Sequence, residues 1–188
     1  MTMLARNVRE HLDLFSRLDP LDSLVEAAGQ RIADSLAQGG KLMLCGNGGS
    51  AADCQHIAAE LTGRFIHDRR PLAAIALTTD TSALTCIGND YAFDDVFVRP
   101  LRGLGRAGDC LIAISTSGNS GNVLRAVEAA REMGIAVIGL LGRDGGKIAP
   151  LCDLAIIVPS DITARIQEAH ILIGHTLCNV IEERLGLA

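Results

Sequence analysis

The sequence is poor in aromatic residues: it has no Trp, one Tyr and four Phe, and aromatics make up only 3% of its 188 residues. Because 48% of the residues are apolar, the core must be built from Ala, Val, Ile and Leu. No apolar run reaches the roughly 18 residues of a membrane span. No run of Lys or Arg is present, and the net charge is −5. We therefore expect neither a membrane nor a nucleic acid as partner.

The six cysteines form no CxxC pair, and most of them lie inside apolar segments. This usage predicts small core residues in a reducing compartment. The first ten residues carry Arg6, Arg9 and Glu10 and no long apolar stretch, so no secretory signal is expected. These features predict a cytoplasmic protein.

Five short apolar runs, each of four to eight residues, predict buried parallel strands. The runs are Lys41–Cys45, Leu72–Leu77, Cys110–Ser115, Ala136–Leu141 and Leu154–Val158. Helical patterns separate them, and this alternation is typical of α/β proteins. At this length we predict a single domain, with a doubly wound five-stranded parallel sheet between two helical layers.

Within this core, helices are predicted at Ala51–Arg64 and Asn122–Met133. Two more, Met3–Leu18 and Leu21–Ala37, precede it, and the amphipathic helix Ala164–Leu185 follows it. The mean hydropathy of +0.29 is high for a soluble monomer. We therefore expect some apolar helix faces to pack against other copies of the chain.

Two polar loops follow the first and third predicted strands. They are Gly46–Ser50 and Ser115–Ser120. If the strand order is 2-1-3-4-5, the order reverses between these two strands, and doubly wound sheets bind ligands at that point. We expect the two loops to face each other across one crevice.

The glycines and hydroxyls of these loops, at the starts of two helices, favour a single phosphate group as ligand. A helix N-terminus contributes about 0.3–1 kcal/mol, and each hydrogen bond to an anion contributes about 1.5–3 kcal/mol. Neither loop has the Lys of a Walker A loop. Gly46–Ala51 loosely fits the dinucleotide pattern GxGxxG/A, but Asp80 is misplaced to bind a ribose. The alternative is two N-capping turns without a ligand.

Polar side chains also lie on two of the predicted helices. Asp53, His56 and Glu60 follow the first loop, and the last two share one helix face. Such a pair is often only a surface contact, but this face leads away from the anion loop toward the rest of a substrate. On the last helix, Gln167 and His175 lie eight residues apart, about 12 Å along the axis, so spacing alone does not nominate them as ligands of one ion.

The polar residues of the last helix have two possible roles. Gln167, Glu168, His170 and His175 lie among apolar residues, so they need partners wherever they are buried. They either satisfy one another between subunits or serve as metal ligands and proton carriers. Asn89-Asp90, in the predicted loop after Thr79–Ile87, is a further polar pair whose role the spacing leaves open.

The string Gly46–Asp53, followed by Gln55-His56 and Glu60-Leu61, resembles the sugar isomerase (SIS) domain family. The resemblance covers nearly the whole chain. Further matching strings are Leu77–Asp80, Gly88–Asp90, Ser115–Ser120, and Arg165–Glu168 with His170 and His175. It implies a flavodoxin-like fold and a homotetramer with active sites at subunit interfaces. It also implies isomerisation of D-sedoheptulose 7-phosphate in heptose synthesis for bacterial lipopolysaccharide.

The resemblance also assigns roles to individual residues. It implies that the phosphate and nearby hydroxyls are held by Asn47, Gly48, Gly49, Ser50, Ser115, Thr116, Ser117 and Ser120. Asn89, Asp90 and Gln167 would contact the sugar. The family's zinc ligands match His56, Glu60, Gln167 and His175, and its acid/base pair matches Glu60 and His175. Some SIS proteins are instead non-catalytic regulators or bind a replication initiator; the presence of Glu60 together with His56 and His175 favours an enzyme.

Overall fold

A computed structural model describes residues 1–188. Its five parallel strands form one sheet in the order β2-β1-β3-β4-β5, which confirms the predicted doubly wound sheet and the reversal of order between β1 and β3. The strands are β1 (Leu42–Cys45), β2 (Ala74–Ala76), β3 (Cys110–Ser115), β4 (Ala136–Gly142) and β5 (Leu154–Val158).

Seven α-helices surround the sheet, and the five predicted ones are confirmed to within a few residues. They are α1 (Met3–Phe15), α2 (Asp22–Ala37), α3 (Gly49–Thr62), α4 (Thr81–Asp90), α5 (Val98–Leu104), α6 (Gly121–Glu132) and α7 (Thr163–Arg184). None of them combines the length and the apolar character that crossing a membrane requires.

Two aliphatic clusters, one on each face of the sheet, form the core. Successive side chains of a strand point to opposite faces. Leu42 and Leu44 of β1 accordingly pack with α1, α2, α3 and α7, and Met43 and Cys45 pack with α5 and α6. The result is the predicted three-layer arrangement, with aliphatic side chains filling the space that aromatic ones occupy in other proteins.

Two local predictions are wrong. Asn89 and Asp90 form the last turn of helix α4 rather than a loop. Asp80 caps the start of this helix by accepting a hydrogen bond from the Ala83 N–H at 2.9 Å. Cys86 is exposed rather than part of the core, since it lies on the outward face of α4. The other cysteines are buried or half-buried, and all six are free thiols.

Candidate active site

At the carboxyl edge of the sheet, the loop after β1 contacts the start of helix α6, which follows the loop after β3. A reciprocal amide pair joins them: Asn47 Nδ2 donates to Asn122 Oδ1, and Asn122 Nδ2 donates to Asn47 Oδ1, both at 2.8 Å. Asn122 is buried and also accepts a hydrogen bond from the Val123 N–H at 2.9 Å. Sequence reasoning missed Asn122, although its place one residue into helix α6 put it beside the second loop.

The second loop presents a compact group of hydroxyls. Ser115 is 3% exposed, and its Oγ lies 2.9 Å from Ser120 Oγ and 3.4 Å from Ser117 Oγ. Thr116 is half-buried between them in the chain. Ser120 precedes helix α6 but makes no side-chain capping hydrogen bond to it. Helix α3, which starts after Gly48, also lacks a side-chain cap. The arrangement differs from two ordinary N-capping turns.

A third loop supports this hydroxyl group from behind. Asn119 donates to the Ser117 carbonyl at 2.7 Å and accepts from the Lys147 N–H at 3.2 Å. The Ile148 N–H donates to the Gly118 carbonyl at 3.1 Å. The loop after β4 therefore holds the backbone around Ser117 in place, a role that the sequence did not reveal.

A second group of polar side chains lies farther along helix α3. His56 Nε2 lies 2.9 Å from His175 Nε2 and 3.3 Å from Glu60 Oε1. Each of the three residues offers one atom that could bind a metal ion, and these three atoms all lie within 4.8 Å of one another. The structure thus brings together three residues, of which His56 and His175 are 119 positions apart in the sequence.

Close packing of helices α3 and α7 brings this cluster together. A methyl group added at Gly174 would lie 2.6 Å from Ile57 Cδ1, so the missing side chain lets α7 approach α3 beside His175. The Phe65 ring stacks on the His175 imidazole, with centroids 5.5 Å apart and an angle of 24° between the planes. Phe65 therefore restricts the orientation of His175, and the sequence patterns did not single it out.

Gln167 contacts the start of helix α3. Its Nε2 donates to Asp53 Oδ2 at 3.2 Å, and its amide fills the space that a side chain at Gly49 would need. Burial raises the pKa of Asp53, while the hydrogen bond from Gln167 and the charge of His56 lower it. Gln167 thus links the first loop to α7, two helical turns before His175.

Asn89 and Asp90 lie exposed at the end of α4. Asn89 Nδ2 donates to Asp90 Oδ1 at 2.7 Å, and the Cys86 thiol lies 3.3 Å from Asp90 Oδ2. The hydrogen bond from Asn89, followed by that from Cys86, lowers the pKa of Asp90. Asp90 is therefore a carboxylate at neutral pH, able to accept hydrogen bonds from hydroxyl groups.

Glu168 and His170, the other two polar residues that the sequence singled out on α7, have structural roles. Glu168 accepts a hydrogen bond from Arg165 Nη2 at 2.6 Å and lies 2.8 Å from His11 Nδ1, which ties α1 to α7. His170 is fully buried, with its Nε2 3.0 Å from the Leu141 carbonyl. The two do not lie in the cluster formed by His56, Glu60 and His175.

The donor set of the cluster suits a metal ion. Two imidazoles and one carboxylate are the protein ligands of one common class of catalytic zinc site, in which a fourth position stays open for water or substrate. The cluster is half-buried, so a small molecule can reach it. This arrangement could therefore hold a divalent cation that meets a ligand bound in the crevice.

Comparison with known proteins agrees with this combination of fold and site. The family model described as "SIS domain" matches residues 8–142, more than half of the chain. The chain belongs to the SIS domain family, and relatives that are more than 50% identical to it are named phosphoheptose isomerase.

Relatives of that name cover nearly all of the chain. The phosphoheptose isomerase of Rhodospirillum rubrum is 58% identical over 174 residues, which are 92% of each chain. That of Campylobacter concisus is 54% identical over 182 residues, which are 97% of this chain and 96% of the relative. The solved structure of the phosphoheptose isomerase of Neisseria gonorrhoeae is 50% identical, covers 96% of this chain and 97% of its own, and gives a TM-score of 0.91. Within the SIS domain family, the chain therefore belongs to the phosphoheptose isomerases.

Proposed function

We propose that this chain is an aldose–ketose isomerase that converts D-sedoheptulose 7-phosphate into D-glycero-D-manno-heptose 7-phosphate. The observation that carries the proposal is the placement, along helix α3, of the glycine- and serine-containing loop at its start and of the cluster of His56, Glu60 and His175 beyond it. Relatives that are 50–58% identical bear the name phosphoheptose isomerase.

The crevice would bind the phosphate through backbone N–H groups and hydroxyls. The residues assigned to this role are Asn47, Gly48, Gly49, Ser50, Ser115, Thr116, Ser117 and Ser120. Hydrogen bonds to a charged acceptor contribute about 1.5–3 kcal/mol each, so four or five of them hold a phosphate monoester without a basic side chain. Asn89, Asp90 and Gln167 would orient the sugar hydroxyls.

The chemistry needs one proton to move between neighbouring carbons. A base removes a proton from C1 of the ketose, beside the C2 carbonyl, and the resulting enediol is protonated at C2 to give the aldose. We propose that Glu60 moves the proton between C1 and C2 and that His175 transfers protons at the oxygens, because the two side chains belong to one cluster. No electron is gained or lost overall, so no redox cofactor is required.

We propose Zn²⁺, one ion per subunit, as the cofactor. His56, Glu60 and His175 would hold it, with Gln167 as a further ligand. Bound there, the ion would polarise the substrate carbonyl as a Lewis acid. A carboxylate bound to zinc is a weaker base, so the two roles of Glu60 compete. Turnover that survives removal of the metal would leave Glu60 as base alone.

We further propose that the protein is a homotetramer. Helix α1 exposes Leu4, Val8 and Leu12 on one face, and such apolar faces are typical of protein interfaces. An apolar groove of 430 Å³ lies nearby, lined by residues that include Leu21 and Ile173. A second copy of the chain would cover both surfaces. Sedimentation equilibrium tests this proposal, and a monomer at micromolar concentration would contradict it.

The central experiment measures turnover of D-sedoheptulose 7-phosphate by the purified protein, with detection of the aldose product by NMR. Glu60→Gln should abolish turnover because the amide neither accepts a proton from carbon nor carries charge. The matched control is Glu183→Gln, the same change at an exposed position of α7. Full activity in Glu60→Gln would refute the role of Glu60, and absence of turnover in the unmodified protein would refute the function.

Chelation of the same sample tests the metal. We expect EDTA to lower turnover and Zn²⁺ to restore it, with metal analysis giving one ion per chain. A non-catalytic sugar phosphate-binding protein would instead be stabilised by the substrate in a thermal melt without forming product.

A further inference from the structure

The chain contains one fully buried ion pair. It joins the segment that follows α3 to the last turns of α7, farther along both helices than the cluster of His56, Glu60 and His175. Arg69 Nε donates to Glu182 Oε1 at 2.7 Å, and each of the two side chains is 2% exposed. Every other ion pair of the chain is more exposed. Neither residue has a place in the isomerase chemistry proposed above.

Arg69 does more than neutralise Glu182. Its Nη2 donates to the Glu60 carbonyl at 2.8 Å, and its Nη1 donates to the Leu61 carbonyl at 2.8 Å. These two carbonyls belong to the last turn of α3, where carbonyl groups have no partner within the helix. Arg69 therefore caps the C-terminus of α3. One of the two carbonyls that it binds belongs to Glu60, whose carboxylate is part of the cluster.

The same guanidinium also fixes the segment that follows α3. Its Nη1 lies 3.0 Å from the Gly63 carbonyl and 3.1 Å from the Arg70 carbonyl. Between these points lies Phe65, whose ring stacks on the His175 imidazole. Arg69 thus determines the path of the backbone that places an aromatic ring against a residue of the cluster.

Glu182 extends this constraint to the second helix. It lies seven residues after His175 on α7, about 10 Å along the helix axis. The ion pair therefore ties the end of α3 to α7 beyond the cluster, while the contact of Gly174 with Ile57 joins the same two helices beside it. Two separate connections fix the spacing between the helix that bears Glu60 and the helix that bears His175.

Stability alone is a weak reason for burying two charges. Replacing a buried ion pair by apolar side chains of similar volume is often neutral or stabilising, because the desolvation of the charges is then avoided. What an apolar pair could not supply is the set of hydrogen bonds from one guanidinium to four carbonyl groups.

We propose that Arg69 and Glu182 are positioning residues that hold Glu60 and His175 in the geometry needed to bind the metal ion. This inference rests on the metal-dependent function proposed above. Arg69 acts through the backbone of α3 and through Phe65, and Glu182 acts by holding the Arg69 guanidinium between the two helices. Neither side chain touches substrate or metal.

The test measures the affinity of the metal-free protein for Zn²⁺ by competition with a chromophoric chelator. Loss of groups that orient metal ligands typically costs about 10–100-fold in metal affinity. We expect a loss in this range for Arg69→Met/Glu182→Met, with circular dichroism showing that the double variant is folded. The absorption spectrum of the Co²⁺-loaded protein should change as well. A folded double variant with the affinity and Co²⁺ spectrum of the unmodified protein would overturn the proposal.

Three further variants make the result specific. Glu182→Gln keeps an oxygen that accepts from Arg69 Nε, so its Zn²⁺ affinity should stay near that of the unmodified protein. Arg69→Lys keeps the charge but cannot reach all four carbonyls, so its affinity should fall even if the double variant does not fold; unchanged affinity in the lysine variant would also overturn the proposal. Arg102→Met/Glu132→Met removes an exposed ion pair and serves as the matched control.

The same titration separates this inference from the proposed function. If the unmodified protein fails to bind Zn²⁺, the metal site itself is refuted, and the inference falls with it. If the unmodified protein binds Zn²⁺ and the Arg69 variants bind it equally well, only the positioning role is refuted.

Discussion

Burial of His170 makes the stability of this protein depend on pH in a predictable direction. The imidazole is 0% exposed, its Nε2 lies 3.0 Å from the Leu141 carbonyl, and its Nδ1 has no hydrogen-bond partner. Burial lowers the pKa of His170 from 6.5 to about 4, partly offset by the hydrogen bond to Leu141. The folded protein thus keeps a neutral imidazole at a pH where the unfolded chain is already protonated.

The sign and size of the effect follow from this pKa difference. Above pH 6.5 both states hold a neutral His170, and its contribution to stability is fully present. As the pH falls below 6.5 the unfolded chain binds a proton first, so the free energy of unfolding decreases until the folded form is protonated near pH 4. The loss is about 2 kcal/mol at pH 5 and about 3 kcal/mol once both states are protonated.

Urea denaturation of the metal-free protein at pH 7.5 and pH 5, followed by circular dichroism at one protein concentration, measures this effect. Carboxylates and other histidines also titrate, so the decisive quantity is the difference between the unmodified protein and His170→Gln. The glutamine amide still donates to the Leu141 carbonyl but does not titrate. The unmodified protein should lose about 2 kcal/mol more than the variant between the two pH values. Equal losses would show that His170 titrates normally and would refute the reasoning.

Two further substitutions test the packing around the site. Gly174→Ala places a carbon 2.6 Å from Ile57 Cδ1 and should lower the free energy of unfolding by about 1–3 kcal/mol. Gly103→Ala, with open space around it in α5, should instead raise stability by up to about 1 kcal/mol; equal urea midpoints for the two variants would contradict this contrast. Asn122→Ala removes both hydrogen bonds to Asn47, so it should cost about 1–3 kcal/mol and raise KM for the sugar phosphate more than it lowers kcat. Unchanged stability and KM would rule out a role for this pair.

The sheet could be predicted because buried parallel strands are apolar along their whole length. Cys110–Ser115 and Leu154–Val158 were located to the residue for this reason. Strand β2 (Ala74–Ala76) is shorter than the run Leu72–Leu77. Its pairing with β1 begins at Ala74 and Leu42, and the start of β1 is not visible in the sequence of the run.

The short helices on the other face of the sheet left weaker signals. Helix α5 contains Pro100, which usually argues against a helix, but here it lies in the first turn, where backbone N–H groups have no partner within the helix. Helix α4 begins after Asp80, whose capping hydrogen bond to Ala83 could have revealed it. The sequence instead predicted a loop after Thr79–Ile87, and that loop contained Asn89 and Asp90.

The site residues were nominated by resemblance and by chemistry, but their grouping required the packing of α3 against α7. The two helices run side by side in the same direction, so residues later in α3 contact residues later in α7. Gln167 meets Asp53 near the phosphate crevice, His175 meets His56 in the cluster, and Glu182 meets Arg69 just beyond the end of α3.

This register explains why spacing within one helix was uninformative. Gln167 and His175, eight residues apart on α7, lie beside different positions of α3, and each takes its chemical surroundings from its neighbour there. The polar residues of a helix packed between layers acquire their roles from the facing helix. Helices α3 and α7 are more than a hundred positions apart in the sequence, so a pattern within either helix alone cannot specify which residues pair.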